Sequence, residues 1–291
     1  MDASKNRLLL LTRSRFWAIT PDTLAAFMDV SLVGTWEAAK PTMTGTKSHK
    51  IAVIPIEGVL TKDGPGWMGS NYDTISAAVE NASADPDVKR IVLAVDSPGG
   101  EVTGLPEAAA VIAQAAKVKP VSAMVDGLSA SAAYWLTSQA SDITVTPSGE
   151  VGSVGVRIMH MDISKMMEDR GVKVTEIFAG NHKTEWSPFK PMSPETVAYE
   201  QARLDVIHRD FIKAVSTGRS GRASIDIEAD RFGEGRMFSA SDALPHGLID
   251  AVMSPRSFHR SIMPPQEAEA APPPEFGLPR RARLELEKRR F

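Results

Sequence analysis

The run RIVLAVDSPGGEV, residues 90–102, decides the fold. Arg90 to Val95 is apolar and rich in β-branched side chains, as expected of a strand buried on both faces. SPGG then reads as a glycine turn, and Gly104 to Lys117 as a helix. The same order recurs on either side. Upstream, IAVIPIEGVL (51–60) reads as a buried strand, Tyr72 to Ala82 as a helix and Asp85 to Asp87 as a turn. Downstream, PVSAMV (120–125) is a strand, ASAAYWLTSQA (130–140) a small-residue helix and DITVT (142–146) another strand. Gly155–His160 and Val172–Phe178 are further expected strands, with a helix at 164–170 between them and a long helix at 194–217. Strands alternating with helices imply parallel pairing through crossovers, hence a layered α/β domain.

Outside this core the patterning weakens. Residues 1–48 form an N-terminal appendage with one amphipathic helix at Asp22–Val30, and 49–255 form the body. Residues 256–291 form a tail, expected to be disordered. From Pro264 it is proline-rich and aperiodic, and it ends in RRARLELEKRRF, with six basic and two acidic side chains. Net charge of −3 gives no general attraction to nucleic acid or anionic lipid, and zero cysteines exclude a thiolate nucleophile and a disulfide framework. The four leucines at 8–11 are too few for a signal segment, and no run approaches the roughly 20 apolar residues of a membrane span. A cytoplasmic protein is the default expectation.

Two places carry chemistry. SPGG, Ser97 to Gly100, ends a buried strand, and its glycines leave backbone N–H groups able to face an oxyanion. Ser131, in ASAAYW, begins a helix after a strand, where the helix dipole favours an alkoxide and small neighbours leave room for a substrate backbone. Ser129 is the better N-cap candidate, which leaves Ser131 without a structural duty. A serine nucleophile needs a base. None of His49, His160, His208, His246 and His259 has a compelling context; His182 neighbours Lys183 in AGNHKTEWSPFKP. A lysine serves as base only when apolar walls lower its pKa, and Ile177, Trp186 and Phe189 are candidates for those walls. Tyr134, Trp135, Trp67 and Met68 are candidates for lining a peptide groove, with core packing as the alternative.

IPIEGVL, VDSPGG, ASAAYW, GEVGSVGV, AGNHKTEWSPFKPMS and GRMFSASDALPHGLID occur in this order between residues 50 and 252. Over that span the chain resembles the signal peptide peptidase A family of serine endopeptidases. The resemblance implies an α/β Clp-protease/crotonase-like layered fold of repeated β-β-α units, assembled as a ring-forming homo-oligomer. It assigns Ser131 as nucleophile and Lys183, 52 positions later, as base. It further assigns the N–H groups of Gly100 and Ala132 as oxyanion donors and Ser153 as the hydroxyl that orients the lysine. No cofactor and no metal are implied.

Ala132 and Ala133 stand where the family usually has glycines. The appendage and the basic tail look like the tailed-phage branch, a prohead protease acting on scaffold, portal and capsid proteins inside a procapsid. Three alternatives stand beside this reading. They are a cytoplasmic peptidase degrading signal peptides, a non-catalytic capsid assembly protein, and an enolate-stabilising crotonase, which would need carboxylates at the hole.

Overall fold

The computed structural model describes residues 17–20, 39–45, 49–63, 69–220 and 234–263. The helix expected at 22–30, Trp67 and Met68, and the chain after 263 lie outside the described residues. Four parallel strands form the centre: β3 (Lys50–Leu60), β4 (Val88–Glu101), β5 (Val121–Ala130) and β6 (Asp142–Val145). Their registers run in step, Ile54 opposite Leu93, Leu93 opposite Ala123 and Ala123 opposite Ile143. On the outer edge of β3 lies antiparallel β2 (Thr42–Gly45); β9 (Ala251–Val252) lies parallel beside β6. The remaining strands sit at the far ends of the central ones. β7 (Glu150–Gly152) joins the last residues of β5 and takes β8 (Met237–Ser239) antiparallel, and β1 (Trp17–Ile19) runs antiparallel to the last residues of β4. Two segments of the N-terminal 48 residues thus belong to the same sheet as the body.

Alternation along the strands decides what each face covers. Ile54, Ile56, Leu93, Val95, Ala123 and Val125 point to one face and are fully buried beneath α1 (Tyr72–Ala84), α2 (Leu105–Val118), α3 (Ala132–Thr137) and α5 (Pro194–Gly218). Each of the larger aliphatic side chains there stabilises the fold by about 1.5–3 kcal/mol. On the other face Ile51, Val92 and Met124 meet Phe258 of α6 (Pro255–Ile262) and Met263. The tail boundary drawn at 256 therefore falls inside a packed helix. Pro255 at its first turn and Ser254 as its N-cap, whose hydroxyl accepts the Ser257 N–H, start the helix there.

Helix starts follow their caps. Asn71 accepts the Thr74 N–H at 2.7 Å to open α1, and Ser193 accepts the Thr196 N–H at 3.1 Å to open α5. The reciprocal partner of Ser193 is Thr196, at the third helical position; Glu195 stands one residue short of it. The C-terminal end of α5 is anchored by Arg219, only 2% exposed, whose guanidinium grips Asp250 through two bonds of 2.9 and 2.8 Å and donates to the Gly247 carbonyl. Asp250 also accepts the Ile143 N–H, so the pair ties α5, β6 and the start of β9 together.

Three expected elements differ. SPGG does not turn: β4 continues through it to Glu101, with a register shift between Val95 and Ser97, and β5 likewise continues through Gly127 to Ala130. Glycine at these positions permits bulged, left-handed backbone without ending the strand. Gly155–His160 forms only an isolated bridge, at Arg157. Val172–Phe178 starts with the alternation of a strand, Val172 and Val174 against Lys173 and Thr175, but among the described residues it pairs with no other strand. The segment, like short α4 (Ser164–Asp169) before it, stays on the surface, with Ile177 97% exposed.

Candidate functional site

Ser131 sits between β5 and α3 at φ 55, ψ −119, a conformation that a residue with a Cβ adopts only when the surroundings enforce it. The enforcement is visible. Its N–H donates to the Gly152 carbonyl at 2.8 Å, its carbonyl accepts the Trp135 N–H at 2.9 Å, and Tyr134 and Trp135, each at most 3% exposed, fix the helix behind it. Tyr134 donates its hydroxyl to the Leu248 carbonyl, and burial raises its pKa; Trp135 stacks on Phe211 of α5 with centroids 4.6 Å apart. These two aromatics pack in the core and do not line a groove. The Ser131 hydroxyl makes no capping bond and donates to the Gly155 carbonyl at 3.3 Å. Ser129 caps nothing either, since its hydroxyl pairs with that of Thr137.

The glycine segment of β4 comes up against this elbow. Gly99 has φ +100, and a Cβ built on it would stand 3.0 Å from the Ala130 carbonyl oxygen and 3.0 Å from the Ala132 nitrogen. Gly100 is pressed against the backbone of Leu60, so that a Cβ there would overlap the Leu60 carbonyl. Both glycines are thus required by close approach of other backbone, and they bring the end of β4 beside the first amide of α3. Ser97 holds the segment by donating to the Gly58 carbonyl at 2.7 Å and accepting the Gly99 N–H. Asp96 accepts the Leu128 N–H at 3.1 Å, and Gly127 packs onto its carboxylate. Burial and the neighbouring carboxylates of Asp126 and Glu57 push the Asp96 pKa up to about 6.

Ser153 is the second strained serine, at φ 54, with its N–H on the Arg236 carbonyl. It follows β7, whose Gly152 is opposite Ala130. Ser131, Ala132, Gly100 and Ser153 are therefore gathered at one end of the sheet. Beside them Ser153, Gly155 and Arg157 form one wall of a cavity of about 500 Å³, with Asp205 and His208 of α5 opposite.

Lys183 is placed elsewhere. It is exposed, in the loop between α4 and α5, and among the described residues its ammonium group has no hydrogen-bond or ion-pair partner. It lines a separate cavity of about 410 Å³ with Trp186, Glu195, Tyr199 and Arg203. Of its expected apolar walls, Ile177 projects into solvent, and Trp186 donates its indole N–H to Glu200 at 3.0 Å. His182 pairs with Glu185 at 2.6 Å, a hydrogen bond that raises its pKa. No histidine hydrogen-bonds Ser131. The sequence reading missed Gly155, whose role depends on backbone approach, and Trp17–Ile19, a strand too short for its periodicity to be read.

Comparison with known proteins bears on the same residues. The model of peptidase family S49 matches residues 113–264, more than half the chain and a stretch containing Ser131, Ser153 and Lys183. Capsid assembly protease C of Escherichia phage lambda is 30% identical over 246 residues, covering 81% of this chain and 55% of the phage protein. A putative protease of Methanocaldococcus jannaschii is 37% identical over 174 residues, 60% of this chain and 55% of that one. The chain thus spans about half the length of the curated relatives it matches. A crystal structure of an enoyl-CoA hydratase/isomerase family member aligns at TM-score 0.44 and 16% identity, covering 78% of this chain and 74% of that one. Matched across more than half its length, through the elbow and the loops that follow it, the chain belongs to peptidase family S49.

Proposed function

We propose that this chain is a serine endopeptidase in which Ser131 attacks the peptide carbonyl and Lys183 acts as general base. The observation that carries the reading is the Ser131 elbow: a serine held at positive φ, free of capping, beside the amides of Gly100 and Ala132. Those amides are the oxyanion donors, each worth about 3 kcal/mol of barrier. Lys183 takes the hydroxyl proton and returns it to the leaving amine, the acyl-enzyme is hydrolysed by water, and Ser153 orients the lysine.

Because Lys183 does not meet Ser131 within the chain, the base comes from a second copy in a ring-forming homo-oligomer. The segment that carries Lys183 supports this, since Met159, Met161, Val172, Ile177 and Phe178 lie uncovered along it. The substrates are scaffold and capsid proteins of a tailed phage, a reading supported by the name of the lambda relative, a capsid assembly protease.

Mixing tests the pairing. Ser131→Ala and Lys183→Ala each abolish casein cleavage. If the base acts in trans, an equal mixture refolded together regains about a quarter of wild-type activity, the share of sites with both groups intact. A mixture as inactive as its components places the base in cis, and full activity of Lys183→Ala removes it from the mechanism.

A further inference from the structure

The segment Trp17–Thr20 lies where an extended substrate would lie. β1 runs antiparallel to Gly99–Glu101, with Trp17 opposite Glu101, Ala18 opposite Gly100 and Ile19 opposite Gly99. The Thr20 N–H donates to the Pro98 carbonyl at 3.2 Å. On its other edge Trp17 exchanges both backbone bonds with Arg157, at 3.0 and 2.9 Å. The strand is therefore clamped between the glycine segment and the stretch that begins at Gly155, whose carbonyl holds the Ser131 hydroxyl. Ala18 is fully buried there and Trp17 is 4% exposed.

The register identifies one peptide bond. In an antiparallel ladder, residues two apart share the same hydrogen-bonding class. Since Thr20 bonds to Pro98, Ala18 exchanges bonds with Gly100, and Trp17 faces away toward Arg157. The Ala18 carbonyl thus faces the Gly100 N–H. It also crowds the Gly99 Cα, where a Cβ would overlap the Ala18 oxygen and stand 3.0 Å from the Ala132 nitrogen. One carbonyl oxygen thus faces the Gly100 N–H and lies against the same side of Gly99 that approaches the Ala132 nitrogen, on a residue whose small side chain suits an enclosed position.

We infer that the Ala18–Ile19 bond is cleaved by the enzyme itself. The inference rests on the peptidase reading above. Ser131 Oγ bonds to the Ala18 carbonyl carbon, and the carbon–nitrogen bond to Ile19 breaks. The serine proton passes through Lys183 to the amine that becomes the new amino terminus. Water then splits the Ala18–Ser131 ester, releasing residues 1–18 with a carboxylate at Ala18 and restoring the serine. Until that step, the segment excludes other peptides from the cleft.

Intact-mass measurement and amino-terminal sequencing of the full chain over time, run beside casein cleavage, test this. Wild type loses residues 1–18, begins at Ile19, and shows a lag in casein cleavage that ends as processing completes. Ser131→Ala, confirmed folded by its thermal melt, keeps its full mass. Ala18→Gly is processed, whereas Ala18→Arg is slowed at least about tenfold because the site has no room for the side chain. An enzyme that cleaves casein yet retains residues 1–18, is cut at another bond, or processes Ala18→Arg at the wild-type rate overturns the inference and leaves the peptidase reading standing. A folded wild type that cleaves neither casein nor itself overturns both.

Discussion

Replacing Ser131 by glycine should give a more stable protein than replacing it by alanine, the reverse of the order at an ordinary position. Both substitutions delete the hydroxyl and its bond to Gly155, so their difference isolates the backbone. At φ 55, ψ −119 the alanine Cβ retains the strain of the native serine, about 1–3 kcal/mol, whereas glycine has none. Against that, glycine's freer unfolded chain costs about 0.5–1 kcal/mol. The net expectation is that Ser131→Gly exceeds Ser131→Ala by about 1 kcal/mol. Urea unfolding reads it: with a slope near 2 kcal/mol/M the midpoints differ by about 0.5 M, at equal slopes. The proposed mechanism makes both variants inactive, so stability is read apart from catalysis. If the alanine variant equals or exceeds the glycine variant, the elbow is not strained and the claim that the fold enforces it fails. Ser153, at φ 54, offers the same comparison at a second site.

Two further substitutions probe the supports of the site. Arg219→Met removes the buried guanidinium that ties α5 to Asp250 and to the Gly247 carbonyl and should cost about 1–2 kcal/mol, read as a lowered urea midpoint, since these bonds are lost while Asp250 itself keeps contact with solvent; an unchanged midpoint would show that the pair anchors nothing. Asp96→Asn acts through pH. The folded-state pKa of Asp96 is raised from 3.8 to about 6, so the native protein holds the proton more tightly than the unfolded chain, and stability falls as pH rises through that interval. The substitution should therefore stabilise at pH 8 and not at pH 4. Asp96 keeps contact with solvent, which limits the gain to about 1 kcal/mol. Thermal melts at the two pH values check it, and an equal effect at both excludes ionisation as the cause.

The parallel core was legible because burial on both faces leaves an unmistakable record: the runs at 51–60, 90–95 and 120–125 have few residue types to choose from. The place of Ser131 between strand and helix, with small neighbours, was legible as well. What could not be read depends on close approach. VDSPGG and DGLSA contain glycines that usually turn a chain, yet here they carry strands onward, since their glycines are set by the nearness of Leu60, Asp96 and the elbow itself. Val172–Phe178 shows the opposite failure: its β-branched residues fit a strand, but a strand also needs an edge, and sequence does not state whether an edge is present. The separation of Lys183 from Ser131 is likewise a property of tertiary placement that no spacing encodes.

The same departures from regular structure explain why a free strand edge arises at this end of the sheet. β4 and β5 pair in step as far as Val95 and Val125 and once more at Ser97 and Ser129, where β5 carries the extra residues; beyond that point β4 keeps β3 as its neighbour through Gly100 but leaves β5. That leaves Gly99–Glu101 with an open edge, and open edges pair with whatever extended backbone is available. In this chain the occupant is Trp17–Ile19, held again on its far side by Arg157. Recognition through these bonds uses N–H and C=O groups that every residue possesses, so the ladder fixes where a substrate carbonyl lies but not which substrate is taken. Selectivity must then come from side-chain contacts beside the ladder. On the peptidase reading, the cavity adjoining Ser153 would supply them from a mixed lining, Val156, Ile158 and Leu204 beside Arg157, Asp205 and His208.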